Sequence, residues 1–223
     1  MSEKTMTNTT LESHGSRITE DEHPFCMDIF CGMGGWSIGF YREGFNCRGV
    51  DVVDVGYPYE LTLSDVRDFH PRPGCDVDVM VMSPPCTEFS VLTTLSYKKG
   101  QRGPPEPEKG IELVREAMRI KDEGSPRYWV LENVVGSIPH LRPILGEPRL
   151  VAKPWVLWGN FPMPQLPEFP RGDHKMSHSF ERHNKGGNRI GLPEDFPFDP
   201  LRSWRRARIP TFLAQAMARA CKE

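Results

Sequence analysis

VDVMVM, residues 77–82, is the stretch that decides the fold. A strand with one wet face alternates apolar and polar residues, but here every position except Asp78 is apolar. Such a run is buried on both faces, as in a parallel sheet with helices on either side. Working outward, Phe25 to Phe30 is a second short apolar run, ending in a glycine-rich turn. A helix is predicted from Gly35 to Glu43, with Gly44 placed to end it. Cys47 to Val53 reads as another strand. Ile111 to Glu123 reads as a helix with Ile111, Val114, Ala117 and Met118 on one side. Tyr128 to Leu131 reads as a strand, with Glu132-Asn133 just past its end. Strands alternating with helices predict an α/β fold, an open, mostly parallel, doubly wound sheet with right-handed crossovers. After Val134 the pattern dissolves. The segment 139–200 is rich in proline and glycine, and only Trp155 to Trp158 looks like a strand. From Pro210 to Cys221, Phe212, Leu213, Ala216, Met217 and Ala220 return to helical spacing.

Composition narrows the function classes. The chain has 223 residues, enough for one α/β domain and little else. A formal net charge of -2 means that any polyanion would have to be met by locally clustered basic residues. The six cysteines form no C-x-x-C pair and do not alternate with histidine at zinc spacing, so no metal site is expected. Scattered cysteines in a chain of this size fit a reducing compartment. Residues 1–22 are polar and read as a disordered leader without the apolar run of a signal peptide, and no stretch is long and apolar enough for a membrane span.

Three constellations fall at carboxyl ends of strands, the edge where open α/β sheets bind ligands. The first is Asp28-Ile29-Phe30-Cys31-Gly32-Met33-Gly34-Gly35. Its glycines permit a sharp turn and close approach of a ligand to a helix N-terminus. Alone, such a turn serves equally well as plain architecture. Asp51, about 20 residues on, can accept the hydroxyls of a ribose; most strand-end acids merely face water. The two in register favour a nucleoside cofactor. The second is Ser83-Pro84-Pro85-Cys86-Thr87-Glu88-Phe89-Ser90. Its prolines fix the backbone and hold Cys86 in a rigid loop, where a thiolate could act as nucleophile. A lone cysteine is otherwise more often buried and inert. The third is Glu132-Asn133-Val134. A desolvated carboxyl there could hold a proton near neutral pH and give it to a ring nitrogen; the bland alternative is a helix cap by Asn133.

In this order the three signatures resemble the DNA cytosine C5-methyltransferase family over Asp28 to Val134. The resemblance implies a sheet of the S-adenosylmethionine-dependent methyltransferase type and a core spanning 23–138. It implies Cys86 and Glu132 as catalytic residues. For S-adenosylmethionine it implies a site formed by Phe30, Gly32, Met33, Gly34, Gly35, Asp51, Val52, Asp65, Val66 and Pro84. Asp65-Val66 sits where the family's adenine-contacting pair is expected. Substrate contacts are expected from Ser90 and Asn133, and phosphate contacts from Lys98, Lys99 and Arg102, in a loop that the family closes over its substrate. Charge runs are more often solvated faces, and the same alternative holds for the basic stretch Arg202 to Arg208.

The chain also departs from the family. The arginine-bearing motif after the glutamate is not recognisable, with Arg142 and Arg149 as stand-ins or ordinary surface residues. Arg206-Ala207-Arg208-Ile209-Pro210 replaces a closing Gly-Asn-x-Val-Pro. The segment 139–200 is expected to be a reduced, irregular substrate-contact region, and 201–223 a closing helix packed on the core. The stretch after Val134 looks too short for a full target-recognition domain and resembles the short forms carried by bacteriophages. The implied partner is DNA, either a duplex with a flipped base or a single strand, with a second protein as an alternative source of recognition. The implied location is the cytoplasm of a bacterium or phage-infected cell. An RNA or nucleotide cytosine methyltransferase is the nearest rival, and a catalytically silent nucleic-acid-binding protein of the same fold is the rival from another class.

Overall fold

A computed structural model describes residues 23–101, 103–166 and 208–222. The expected leader, Arg102, residues 167–200 and the basic stretch up to Ala207 lie outside the described residues.

The strands are β1 (Phe25–Ile29), β2 (Asn46–Asp51), β3 (Glu60–Leu63), β4 (Val79–Met82), β5 (Tyr128–Val134), β6 (Leu150–Ala152) and β7 (Trp155–Asn160). They form one sheet in the order β3-β2-β1-β4-β5-β7-β6. The first five are parallel, and β7 runs antiparallel to both β5 and β6. The helices are α1 (Gly35–Arg42), α2 (Val91–Lys98), α3 (Pro107–Gly124), α4 (Ile138–Leu145) and α5 (Thr211–Lys222).

The apolar run at 77–82 is central because both its faces are covered. Met80 and Met82 pack with Ile111, Val114, Ala117 and Ile120 of α3, whereas Val79 and Val81 pack with Trp36 and Phe40 of α1 and Leu213 and Met217 of α5. All four β4 residues are fully buried, each contributing ~2 kcal/mol of apolar burial. Helices α1 and α5 meet so closely that a Cβ on Gly39 would lie 2.3 Å from that of Ala214. Only glycine permits that approach.

The structure departs from the expected irregularity after residue 138. Helix α4 forms despite Pro139 and Pro143, and β6 and β7 extend the sheet. Pro139 falls in the first turn, where amide hydrogens have no intrahelical partner anyway. Strand β5 also runs on past Leu131. Its ladder with β4 stops at Met82–Leu131, but β7 continues to pair with it up to Val134. Glu132 is therefore part of a strand, one step beyond its last β4 partner.

Candidate active site

The glycine turn after β1 is tightly wound. Phe30 has φ 59°, Gly32 49° and Gly34 72°. For Phe30, a residue with a side chain, this left-handed conformation costs about 1–2 kcal/mol and marks a constrained position. The Gly32 amide donates to Asp51 Oδ2 at 2.9 Å, and the Val53 amide donates to Oδ1 at 3.3 Å. These bonds clamp the carboxylate at the end of β2 and leave a lone pair on each oxygen. Val52 beside it is exposed. Met33 is half-buried, while Gly35 lies under the backbone of Ile209: a Cβ there would be 2.5 Å from its nitrogen. The structure thus gives Gly35 a packing role that the motif alone does not reveal.

Below the turn, Asp28 is buried on the α1 side of the sheet. Its Oδ2 accepts the Ser37 hydroxyl at 2.6 Å and the Ser37 amide at 3.3 Å, and Ser37 Oγ is hydrogen-bonded to Tyr57 Oη at 2.7 Å. Asp28 Oδ1 is buried without a hydrogen-bond partner among the described residues. Burial pushes the carboxyl up to about 7 against the opposing Ser37 bonds, with the nearby Asp51 charge adding to the rise.

The pair Asp65-Val66 follows β3. Val66 is buried in the core, and Asp65 is engaged by Arg67 at 3.0 Å, which in turn reaches Glu112 of α3 at 2.9 Å.

The nucleophile loop leaves β4 at the centre of the same edge. Pro84 is buried, and its carbonyl accepts the Asn133 side-chain amide at 3.1 Å. Asn133, expected among the substrate contacts, is fully buried, and its side-chain oxygen accepts the Val134 amide. Its described contacts tie the cysteine loop to β5. Cys86 begins a single 3-10 turn, Thr87–Phe89, whose Phe89 packs against Gly110 of α3. Burial, and after it the Glu132 charge, pushes the Cys86 thiol up to about 11. Burial likewise pushes Glu132 up to about 7, opposed by a hydrogen bond from the Ser83 hydroxyl. The structure therefore brings together a thiol and a carboxyl that holds a proton near neutrality.

Other expected residues sit further out. The Ser90 carbonyl accepts the Thr93 and Thr94 amides at the start of α2. Lys98 ends that helix, with Lys99 beyond it, and both are exposed. Arg142 pairs with Glu147, and Arg149 donates to the Phe161 carbonyl at 2.7 Å. These contacts hold both arginines within the C-terminal part of the described chain. Sequence reasoning missed Trp36 and Ser83. The indole N–H of Trp36 donates to Ser83 Oγ at 3.0 Å, and the signal was available only as adjacency, one residue following the glycines and the other preceding the prolines.

The fold and the strand-edge constellation define a class that comparison with known proteins makes specific. The family model for C-5 cytosine-specific DNA methylases matches residues 25–142, more than half of the chain. The chain belongs to that family. It is 28% identical over 121 residues to the type II methyltransferase M.Bsp6I of Bacillus sp. (strain RFL6), covering 50% of this chain and 36% of that one. It is 30% identical over 139 residues to the type II methyltransferase M1.HphI of Haemophilus parahaemolyticus, covering 52% and 35%. The chain thus spans about a third of the length of these curated relatives. A solved structure, described as that of a DNA modification methyltransferase encoded within an E. coli prophage, aligns with a TM-score of 0.44 and 18% identity over 61% of this chain and 46% of that one. No helix among the described residues is long and apolar enough to cross a membrane.

Proposed function

We propose that the chain transfers a methyl group from S-adenosylmethionine to C5 of cytosine in DNA, with Cys86 as nucleophile and Glu132 as proton donor. The observation that carries this reading is the pairing of a buried carboxyl, held up to about 7, with a thiol on the adjacent loop. The glycine turn fits the cofactor. Asp51 has a free lone pair on each clamped oxygen for two ribose hydroxyls. Phe30, Gly32, Met33, Gly34 and Val52 would line the same edge. Bound there, S-adenosylmethionine would supply an electrophilic methyl group.

Cytosine C5 is a poor nucleophile until the ring is opened to addition. The Cys86 thiolate adds to C6 while Glu132 gives its proton to N3, which places enamine electron density on C5. After C5 is methylated, transfer of its hydrogen as a proton to water expels the thiolate, and N3 returns its proton to Glu132. Both ring faces are hidden in a duplex, so the cytosine must be flipped out or already single-stranded. Lys98 and Lys99 would contact phosphates beside the loop, holding the strand without reading its sequence. A DNA substrate and a nucleophilic thiol support the cytoplasm of a bacterium or phage-infected cell as the place of this work.

The test is transfer of label from tritiated S-adenosylmethionine to duplex DNA, single-stranded DNA and RNA. The reading expects label on DNA cytosine and none from a Cys86→Ser protein. Labelled RNA with unlabelled DNA would move the function to the rival substrate, and no label on any of the three would remove it.

A further inference from the structure

Register places Ser83 and Glu132 side by side. The last β4–β5 pair is Met82–Leu131, so the next residues of the two chains are Ser83 and Glu132. Ser83 stays tied to the sheet through its amide, which donates to the Ile29 carbonyl at 3.1 Å. Alternation puts both side chains on the face of Val81 and Val130, the face covered by α1 and α5. Trp36 of α1 is buried on that face, 2% exposed.

Indole is a donor only, so its N–H occupies a lone pair of Ser83 Oγ and leaves the serine hydrogen to be given elsewhere. The Glu132 carboxylate is the acceptor that register sets beside it, and a Ser83 hydrogen bond opposes the rise of that carboxyl. We propose that Ser83, held by the Trp36 indole, is a positioning residue that aims the Glu132 carboxyl and stabilises its ionised form once the proton has gone to N3. This rests on the reading of Glu132 as the proton donor. The contact has a chemical purpose there. Burial raises the acid, whereas a donated hydrogen bond stabilises the charged form that is left when the proton moves to N3. The same indole belongs to the residue next to the glycine turn, so one side chain links the cofactor edge to the acid.

Few other groups bear on this titration. From the cysteine loop Cys86 faces Glu132, but its thiol is neutral while the carboxyl titrates. On β7 the partner is the apolar Leu157. On β1 Asp28 is perturbed by burial, Ser37 and Asp51, and not by Glu132.

The experiment is a carbon-13 NMR titration of protein labelled at glutamate carboxyls, with Glu132→Gln assigning the signal. Ser83→Ala is expected to move the Glu132 midpoint up by about one pH unit. Ser83→Thr should restore it, and Trp36→Phe should move it in the same direction by less. The limb of the kcat pH profile that reports Glu132 should move with it, while affinity for S-adenosylmethionine stays within about twofold. Should Ser83→Ala fail to fold by thermal melting, Trp36→Phe, which keeps the ring, carries the same comparison. A midpoint that stays put in the folded variants overturns the proposal. A wild-type protein with the expected midpoints but no methyl transfer would count against the function and leave the Ser83 contact standing.

Discussion

The Glu132 carboxylate opposes ionisation of the Cys86 thiol across the end of the central strands. The thiol is held up to about 11 by burial and then by the carboxylate charge, while burial holds the carboxyl up to about 7. The reactive combination, protonated Glu132 with ionised Cys86, is therefore a minor form of the free protein. Protonating Glu132 removes the charge that opposes the thiolate, so each proton placement favours the other.

This sets the pH dependence. Below about pH 7 Glu132 keeps its proton, and kcat/KM should rise about tenfold per pH unit with the thiolate fraction. Above pH 7 the loss of protonated acid offsets the gain in thiolate, and the profile should level off. Steady-state kinetics from pH 5.5 to 9 read this directly; a steep fall beginning at pH 7 would contradict it.

Glu132→Gln should lower kcat by a factor on the order of 10² or more, because an amide supplies no proton to N3. It should also speed alkylation of Cys86 by iodoacetamide, because the opposing charge is gone. Single-turnover rates and mass-spectrometric labelling check the two halves. Reduced catalysis with slower alkylation would point to a disturbed fold instead.

Much of the site was legible in sequence because its chemistry sits at strand ends marked by glycine or proline. Asp28 to Gly35 and Pro84 to Cys86 fall where the apolar runs stop. The end of β5 was misplaced, since its last three residues are held by β7, a long-range antiparallel partner that local patterning does not reveal. Helix α4 was hidden by Pro139 and Pro143, which read as breakers unless the first turn is known. The packing role of Gly35 and the Trp36–Ser83 bond depend on contacts between distant segments, with no local signature.

Asp51→Ala should weaken S-adenosylmethionine binding by roughly 1.5–3 kcal/mol, as expected for losing hydrogen bonds to a charged acceptor. Its loss also frees the Gly32 amide that Asp51 Oδ2 now holds at 2.9 Å, so turnover at saturating cofactor should suffer less than affinity. Calorimetry on the variant checks this, and an unchanged dissociation constant would move the cofactor site elsewhere.

Asp28 should make stability fall as pH rises. Its carboxyl is raised from 3.8 to about 7 in the folded protein, so the folded state holds its proton longer than the unfolded chain. That contribution is fully present below pH 3.8 and is lost as pH climbs through about 7. Asp28→Asn, which cannot ionise, should show a flatter melting temperature between pH 4 and pH 8 than the wild type. Parallel curves for the two proteins would show that Asp28 is ionised throughout.

The central claim is that Cys86 forms a covalent bond to C6 of the target cytosine. Fluorine at C5 cannot leave as a proton does, so duplex DNA containing 5-fluorocytosine should trap the adduct when S-adenosylmethionine is present. The decisive measurement is mass spectrometry of the trapped complex after proteolysis. The account predicts a methylated 5-fluorocytosine nucleotide attached to the peptide containing Cys86, and no adduct with Cys86→Ser. Turnover of ordinary DNA with no adduct on the fluorinated strand, or an adduct at another residue, would contradict it.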